Sequence, residues 1–430
     1  MLGAGMAQGQ EASPHQHRFR SLDEVVAYSE QASLDIIIDN IRYTQATKAE
    51  KAARSEIVNP TISFPGSFTH FNELPVTLLP AEIFGGTPGS TVELRAGSPY
   101  TTEFSQYLEL QLVNPVGWAD YKLSKINAEL TQTSGERTRQ VLQENLADSY
   151  YAIVNLNKQL VSTQALLESA DSVYQITQNK YEEGLVSQQD LNNAHVNKLN
   201  TEKSLQQIDY LLVDSYLALK TLCNIPQQDE VVIEHESAPQ VVAQGIPEIT
   251  PNRLDLKLQL LNQDFAKQNY KKSKSTLWPS LSFFAGNNYQ LNNQSFQPLS
   301  GDWINSNYLG LTLSFRLPNR STVSNIQRAK LDYEIATHEL EKVEQTSKIE
   351  QKRLQNSYEQ AVAESESAQD IQRIQADTYA KNFNLYSEGL LSIDRLLDSY
   401  DAMLNAEYAA NAASISLELA YEKILINNRF

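Results

Sequence analysis

Histidine, cysteine and hydroxyl residues are the first places to look for chemistry in this chain. The chain has six histidines and one cysteine, Cys223. The histidines are His15, His17, His70, His195, His235 and His338. None is spaced as a metal-binding pair on a helix, and no serine–histidine–aspartate arrangement, phosphate loop or HExxH motif is present. A single cysteine excludes a disulfide framework and a cysteine-rich metal site. We therefore expect no catalytic residues, no cofactor and no metal.

Charged and aromatic residues recur in two similar segments, NKYEEGLVSQQDL at 179–191 and NLYSEGLLSIDRL at 384–396. Each has a tyrosine, a Glu-Gly-Leu step and a serine in the same order. Glycine accepts the positive φ that ends many helices, and serine suits the first position of a returning helix. The sequence therefore predicts the same helix-to-helix turn twice, at 184–187 and at 389–392.

Very long helical stretches surround both turns. Residues 118–183 contain no proline and one glycine, and residues 320–388 contain neither. Apolar residues recur three and four positions apart, which is typical of amphipathic helices. We expect two long helical hairpins, at 113–222 and 319–430.

Alternating segments precede both hairpins. YLELQLVNP and YLGLTLSFRLP place leucines at every second position, which indicates strands. Pro60 and Pro279 mark helix-to-strand junctions, since proline cannot lie inside a helix. The sequence predicts β-hairpins at 60–112 and 279–318, each after a helix, at 21–59 and 252–278. The chain is thus two structural repeats.

Two segments lie outside these repeats. Residues 1–20 are interpreted either as the remnant of a signal peptide, with a cleavage site near Ala7, or as a disordered N-terminus. Residues 223–251 contain three prolines and a short strand candidate, EVVIE, and are interpreted as the linker.

Composition narrows the class of protein. The formal net charge of −17 argues against nucleic-acid binding, which needs a basic surface. No apolar run reaches 18 residues, so a role inside a membrane would need strands. Four strands cannot close a barrel, but three copies of the chain would supply twelve. The alternative is a coiled-coil scaffold without a pore.

The chain resembles the TolC-like outer membrane efflux proteins over residues 21–427. The resemblance rests on the two Glu-Gly-Leu segments, on NRLDL at 252–256 and on WPSLSF at 278–283. It implies a mainly α fold with a β-barrel portion. The barrel is a trimeric 12-stranded transmembrane β-barrel in the outer membrane of a Gram-negative bacterium, continuing into a long periplasmic α-helical barrel. The implied function is a passive exit duct for efflux or type I secretion, whose partners are outer membrane lipid, a periplasmic adaptor and an inner-membrane transporter.

The resemblance also assigns a periplasmic tip that gates the duct and contacts the adaptor. Asp190 matches a gate carboxylate of the family, while the family's basic gate residue is replaced here by Leu391. We therefore expect Arg395 to supply the missing cation and to pair with Asp190 across a helix or protomer contact. The predicted tip residues are Tyr181, Gly184, Leu185, Ser187, Asp190, Tyr386, Gly389, Leu390, Ser392, Asp394, Arg395 and Asp398.

Overall fold

The computed structural model describes residues 15–58, 60–235, 248–251 and 253–430. The chain divides into two compact units. Unit 1 contains residues 1–43, 130–260 and 338–430. Unit 2 contains residues 44–129 and 261–337.

Helices make up most of the described chain. In chain order the α-helices are α1 (Leu22–Ala32), α2 (Leu34–Glu56), α3 (Pro115–Glu182), α4 (Gln188–Cys223), α5 (Arg253–Ser275), α6 (Arg320–Ser387) and α7 (Ile393–Arg429). The helices α3 and α6 have 68 residues each, and the helices that follow them have 36 and 37. This near-equality of lengths is the predicted two-repeat plan. Within the described residues, no helix is both long and apolar enough to span a membrane.

The strands of the described residues form three sheets. They are β1 (Gln16–Phe19), β2 (Thr61–Ser63), β3 (Gly66–His70), β4 (Val76–Pro80), β5 (Thr91–Arg95), β6 (Tyr100–Val113), β7 (Glu230–Ile233), β8 (Ser280–Asn293) and β9 (Trp303–Ser314). β1 pairs with β7 in parallel, and β4 pairs with β5 in an antiparallel hairpin. The remaining strands form one antiparallel sheet in unit 2.

This large sheet has four strand positions, as predicted. β6, β8 and β9 are successive neighbours, and β2 and β3 lie one after the other along the free side of β6. Pro65 separates β2 from β3 because it has no N–H to donate, while its carbonyl oxygen accepts a 2.9 Å bond from the Ser105 N–H. In the described part of the chain, β9 pairs only with β8, so both outer edges of the sheet lack a partner strand.

The register of this sheet separates two faces. One face is largely apolar, with side chains that are mostly exposed or partly exposed, although a row of Gln106, Asn287 and Asn307 crosses it. Its apolar members include Ile62, Phe68, Phe104, Leu108, Leu110, Leu281, Phe283, Leu309, Leu311 and Leu313. The opposite face is mainly polar, and includes Thr101, Glu103, Ser105, Glu109, Gln111, Ser282, Asn288, Gln290, Thr312 and Ser314. Leu309 is 76% exposed and Leu313 is 70% exposed, which is unusual for leucines on a regular strand.

Unit 1 has its core between the long helices. Leu146 and Ile153 of α3 are fully buried and pack in one cluster with Leu219 of α4 and Ile426 of α7. A second cluster, around Leu396, lies between the segments that flank the two turns. The three- and four-residue spacing of the sequence thus marks the buried stripe correctly.

The N-terminal prediction needs a correction. Residues 16–19 belong to neither a signal remnant nor a disordered end, since they form β1 against the linker strand β7. The His15 N–H and the His17 ring both contact the Asp229 carboxylate, at 3.2 and 3.3 Å. A four-residue strand whose partner lies some 200 residues away leaves no periodicity in the local sequence. Ala7 and the remainder of residues 1–14 lie outside the described residues.

Three further differences concern element boundaries. The predicted helix 21–59 is two helices, separated at Ser33, whose extended backbone ends α1. The predicted hairpin 60–112 contains a further hairpin, β4–β5, and a 3₁₀ turn at Ala81–Phe84 between β3 and β6. The strand candidate in the linker is β7, while residues 236–247 and the predicted boundary residues Asn59 and Asn252 lie outside the described part of the chain.

Candidate functional site

The first turn ends α3 with a left-handed glycine. Gly184 has a φ of +74°. Its N–H donates to the Tyr181 carbonyl oxygen at 2.9 Å, and the Leu185 N–H donates to the Lys180 carbonyl oxygen at 2.8 Å. These two bonds are the Schellman motif, which satisfies carbonyl groups at the end of a helix. No atom lies within 4 Å of a Cβ added at Gly184, so the backbone conformation, not crowding, requires glycine.

The second turn repeats this geometry. Gly389 has a φ of +80°. Its N–H donates to the Tyr386 carbonyl oxygen at 3.0 Å, and the Leu390 N–H donates to the Leu385 carbonyl oxygen at 2.8 Å. Leu390 is 70% exposed, and its counterpart Leu185 is 68% exposed. Each turn therefore has a solvent-exposed leucine directly after its glycine.

The helices that return from the two turns begin differently. Ser187 caps α4 in a full capping box: its Oγ accepts from the Asp190 N–H at 3.2 Å, and its N–H donates to Asp190 Oδ2 at 2.8 Å. Ser392 occupies the same position before α7, but its side chain makes no capping bond. The third residue of α7 is Arg395, which has no acceptor atom for such a box.

The predicted charge pair is not formed within one chain. Asp190 Oδ2 is held by the N–H and the hydroxyl of Ser187, at 2.8 and 2.7 Å. Arg395 is exposed and has no ion pair or hydrogen bond from its side chain to any described residue. One contact between the first residues of the two returning helices runs from Asn193 Nδ2 to Asp394 Oδ1, at 3.3 Å.

The two predicted tyrosines are not equivalent. Tyr181 is 38% exposed, whereas Tyr386 is 2% exposed. The Tyr386 hydroxyl lies 2.6 Å from Thr177 Oγ1. The Lys180 ammonium lies 4.1 Å from the centre of the Tyr386 ring and also donates to the Tyr386 carbonyl oxygen. Tyr386 thus ties the second turn to the last turns of α3.

Burial is the largest influence on the pKa values of Tyr386 and Lys180. Desolvation raises the pKa of Tyr386, the hydrogen bond with Thr177 opposes that effect, and the Asp190 carboxylate adds to it. Burial lowers the pKa of Lys180. The Tyr386 phenol is therefore neutral at physiological pH and keeps a proton that it can donate.

Asp398 is the remaining predicted residue. Asp398 is exposed on α7. The pKa of Asp401 is raised mainly by the burial of Asp401 itself and in addition by the negative charge of Asp398. Within the described residues, no group of three histidine, cysteine, aspartate or glutamate side chains could hold a metal ion.

A series of buried and partly buried hydroxyl pairs between the two repeats was not predicted from the sequence. Its four oxygen–oxygen contacts are Thr163–Tyr408 at 2.6 Å, Ser169–Tyr379 at 2.7 Å, Thr177–Tyr386 at 2.6 Å and Thr201–Tyr400 at 2.9 Å. The first repeat supplies every serine or threonine, and the second repeat supplies every tyrosine. The signal in the sequence for these contacts was the presence of serine and threonine within a helix stripe that is otherwise buried.

Solved structures with the same fold include outer membrane channels and an outer membrane protein. The Campylobacter jejuni CmeC channel superposes with a TM-score of 0.76 at 16% identity, covering 94% of this chain and 85% of CmeC. VceC from Vibrio cholerae gives 0.77 at 14% identity, covering 94% and 95%. The open state of Neisseria gonorrhoeae MtrE gives 0.71 at 13% identity, covering 94% and 88%. The fold is therefore that of an outer membrane channel, although no curated protein sequence matches the chain.

The sequence profile of the family "Outer membrane efflux protein" matches residues 101–224 and 245–424. The chain belongs to this family. Membership confirms the predicted resemblance, the mainly α fold with a β portion, the location in the outer membrane and the role in efflux. The alternative of a scaffold without a pore is thereby excluded.

Proposed function

We propose that three copies of this chain form a closed duct through which cargo leaves the periplasm. The observation that carries this proposal is the two-faced sheet of unit 2, with its exposed leucines on one side and its polar side chains on the other. Exposed apolar area of this kind is costly in water but suits hydrocarbon.

The free edges of the sheet define how the copies join. β9 of one chain would pair with β2 and β3 of the next, so that three sheets of four positions give twelve strands and no edge remains. Closure is required because unpaired backbone groups cannot be left in a bilayer. The polar face would then line the bore, and the long helices of the three copies would form the periplasmic barrel.

The two helix turns form the proposed periplasmic tip. Leu185 and Leu390 are exposed there, and no side chain of the described residues covers them. They are therefore suited to contact a periplasmic adaptor. The adaptor would connect the duct to an inner-membrane transporter, which supplies the energy. The duct itself is passive and uses no cofactor.

A charge pair between copies would close this tip. Arg395 is exposed, and Asp190 keeps its Oδ1 atom outside the capping box described above. We assign the pair to Arg395 of one copy and Asp190 of its neighbour, in place of the pair within one chain.

Two substitutions on adjacent residues of β9 test the duct. Leu311→Arg puts a charge on the apolar face, where Leu311 is 63% exposed, and Thr312→Arg puts the same charge on the polar face. An arginine at the bilayer midplane costs about 2–4 kcal/mol, so Leu311→Arg should reduce insertion and trimer yield. Thr312→Arg should insert normally and change only the single-channel conductance.

The readouts are the mass of the detergent-solubilised protein and its conductance in planar bilayers. A trimer with a measurable conductance is expected for the parent chain. Equal insertion of the two variants, or a monomer that needs no detergent, would contradict the proposal.

A further inference from the structure

A basic and aromatic cavity lies on unit 2 beside the start of β8. It has a volume of about 390 Å³ and is lined by Lys267, Tyr270, Lys271, Lys274, Ser275, Trp278 and Tyr333. No carboxylate is among these lining residues, although the chain as a whole has a net charge of −17. We propose that this cavity binds the phosphate headgroup of an anionic phospholipid in the membrane leaflet that faces the helices.

The lysines share one face of α5. Lys267, Lys271 and Lys274 are four and then three residues apart, the spacing that places side chains above one another on a helix, and all three are exposed. Lys272, which lies between them, points elsewhere and pairs with Asp120 at 2.5 Å. Three lysines therefore line one side of the cavity, and none of the three forms an ion pair within the described residues.

Hydrogen bonds to the carbonyl groups at the C-terminal end of α5 favour a negative ligand there. The carbonyl groups at a helix C-terminus would normally repel an anion. Here the Ser275 and Thr276 hydroxyls donate to the carbonyl oxygens of Lys272 and Ser273, at 2.7 and 2.8 Å. The Leu277 N–H donates to the Lys274 carbonyl oxygen at 3.1 Å. These bonds reduce the exposed negative charge at the mouth of the cavity.

Lysines are also favourable near a helix C-terminus on their own account, through the helix dipole. That effect is confined to the last turn, so it accounts for Lys274 but not for Lys267. It does not account for the aromatic walls either. Trp278 is 68% exposed, and the Lys274 ammonium lies 5.3 Å from the centre of the Tyr270 ring.

The position along the chain indicates a lipid as the source of the phosphate. Trp278 is separated by Pro279 alone from β8, whose second residue, Leu281, lies on the apolar face. At about 1.5 Å per residue, the backbone of Lys274 lies roughly 6 Å and that of Lys271 roughly 10 Å from Trp278, and long lysine side chains near a helix end reach back towards the membrane interface. The headgroup layer of one leaflet is about 5–8 Å thick, and exposed tryptophans favour that layer. The inference rests on the proposed insertion of the sheet into the membrane.

Lipid binding to the solubilised full-length protein tests the proposal, with native mass spectrometry as the readout. The probes are dioleoylphosphatidylglycerol, dioleoylphosphatidylcholine and inorganic phosphate. The test variant carries Lys267→Gln, Lys271→Gln and Lys274→Gln. The control carries Lys342→Gln, Lys348→Gln and Lys352→Gln, which remove the same charge from exposed positions of α6 in unit 1.

Each lysine near an anionic surface contributes about fivefold to binding. The test variant should therefore bind phosphatidylglycerol at least tenfold more weakly than the parent and the control, while all three bind phosphatidylcholine alike. Equal weakening in test and control variants would overturn the proposal. Displacement of the lipid by millimolar inorganic phosphate would overturn it in favour of a free-anion site, and loss of the trimer in the test variant would overturn it in favour of a contact between copies. The conductance of the same variants in planar bilayers tests the duct separately from the lipid site. A normal conductance together with no preference for phosphatidylglycerol would refute the lipid site and leave the proposed duct intact.

Discussion

The Thr177–Tyr386 contact allows a prediction in which the two partners are not interchangeable. Thr177 Oγ1 donates to the Val173 carbonyl oxygen at 2.7 Å, so its one proton is already used. The Tyr386 hydroxyl must therefore be the donor in the 2.6 Å contact. Thr177 is fully buried and Tyr386 is 2% exposed, so water cannot replace either partner.

The direction of this bond sets the order of the costs. Thr177→Val keeps the shape of the side chain but leaves the buried Tyr386 O–H without an acceptor, which costs about 1–3 kcal/mol. Tyr386→Phe removes the donor and leaves an acceptor whose own proton is still bonded, so it costs about 0.5–1.5 kcal/mol. The double variant loses both groups together and should cost less than the sum of the single changes.

The assay is thermal unfolding of the detergent-solubilised protein at a fixed scan rate, followed by circular dichroism. Thr378→Val is the matched control, because exposed Thr378 Oγ1 bonds, among the described residues, only to the Ile374 carbonyl oxygen, at 2.8 Å. We expect Thr177→Val to lower the Tm most, Tyr386→Phe to lower it less, and the control to have no measurable effect. A Tm for Thr177→Val equal to that of Thr378→Val would refute the assigned bond.

The remaining predictions concern the caps, alkaline pH and the gate. Ser187→Ala breaks the capping box and should cost about 1 kcal/mol in the same melting assay, whereas Ser392→Ala, which removes no capping bond, should be nearly neutral; equal effects would contradict the difference between the turns. Burial raises the pKa of Tyr400 to about 12, so the contribution of Tyr400 to the stability of the folded chain is fully present below about pH 10 and is lost as the pH rises towards 12. Tyr400→Phe should therefore make the fall of Tm between about pH 10 and 12 less steep. An unchanged slope would contradict this role of Tyr400. Arg395→Ala should raise the open probability of the duct in planar bilayers if it pairs with Asp190 of a neighbour, and unchanged opening would remove that pair from the gate.

Features fixed by the local backbone could be predicted from the sequence. Gly184 and Gly389 were identifiable because few other residues tolerate a positive φ at the end of a helix. Pro60 and Pro279 likewise marked the places where helices give way to the sheet, since proline cannot continue a helix. The capping box was also legible, as Ser187 and Asp190 have the three-residue spacing that such a box needs.

Features that depend on distant residues could not be predicted in the same way. Ser169 and Tyr379 are 210 residues apart, and no local pattern tells which tyrosine finds which hydroxyl. The same limit applies to β1, whose partner lies in the linker. The Asp190–Arg395 pair shows the same limit, because the sequence does not tell whether the partner of Asp190 is the local cap at Ser187, a residue of the same chain or a residue of another copy.

Arg395 is the residue at which the two repeats diverge most clearly in chemistry. It occupies the third position of α7, where the positive end of the helix dipole disfavours a cation, and where an aspartate completes the cap of α4. A single chain gains nothing from this placement, since Arg395 forms no ion pair with any described residue and its side chain offers no acceptor to the Ser392 N–H. A locally unfavourable, exposed arginine at a helix turn is understandable if its partner belongs to another copy. The departure from repeat symmetry is thus an argument, independent of the free sheet edges, that the chain is completed by its neighbours.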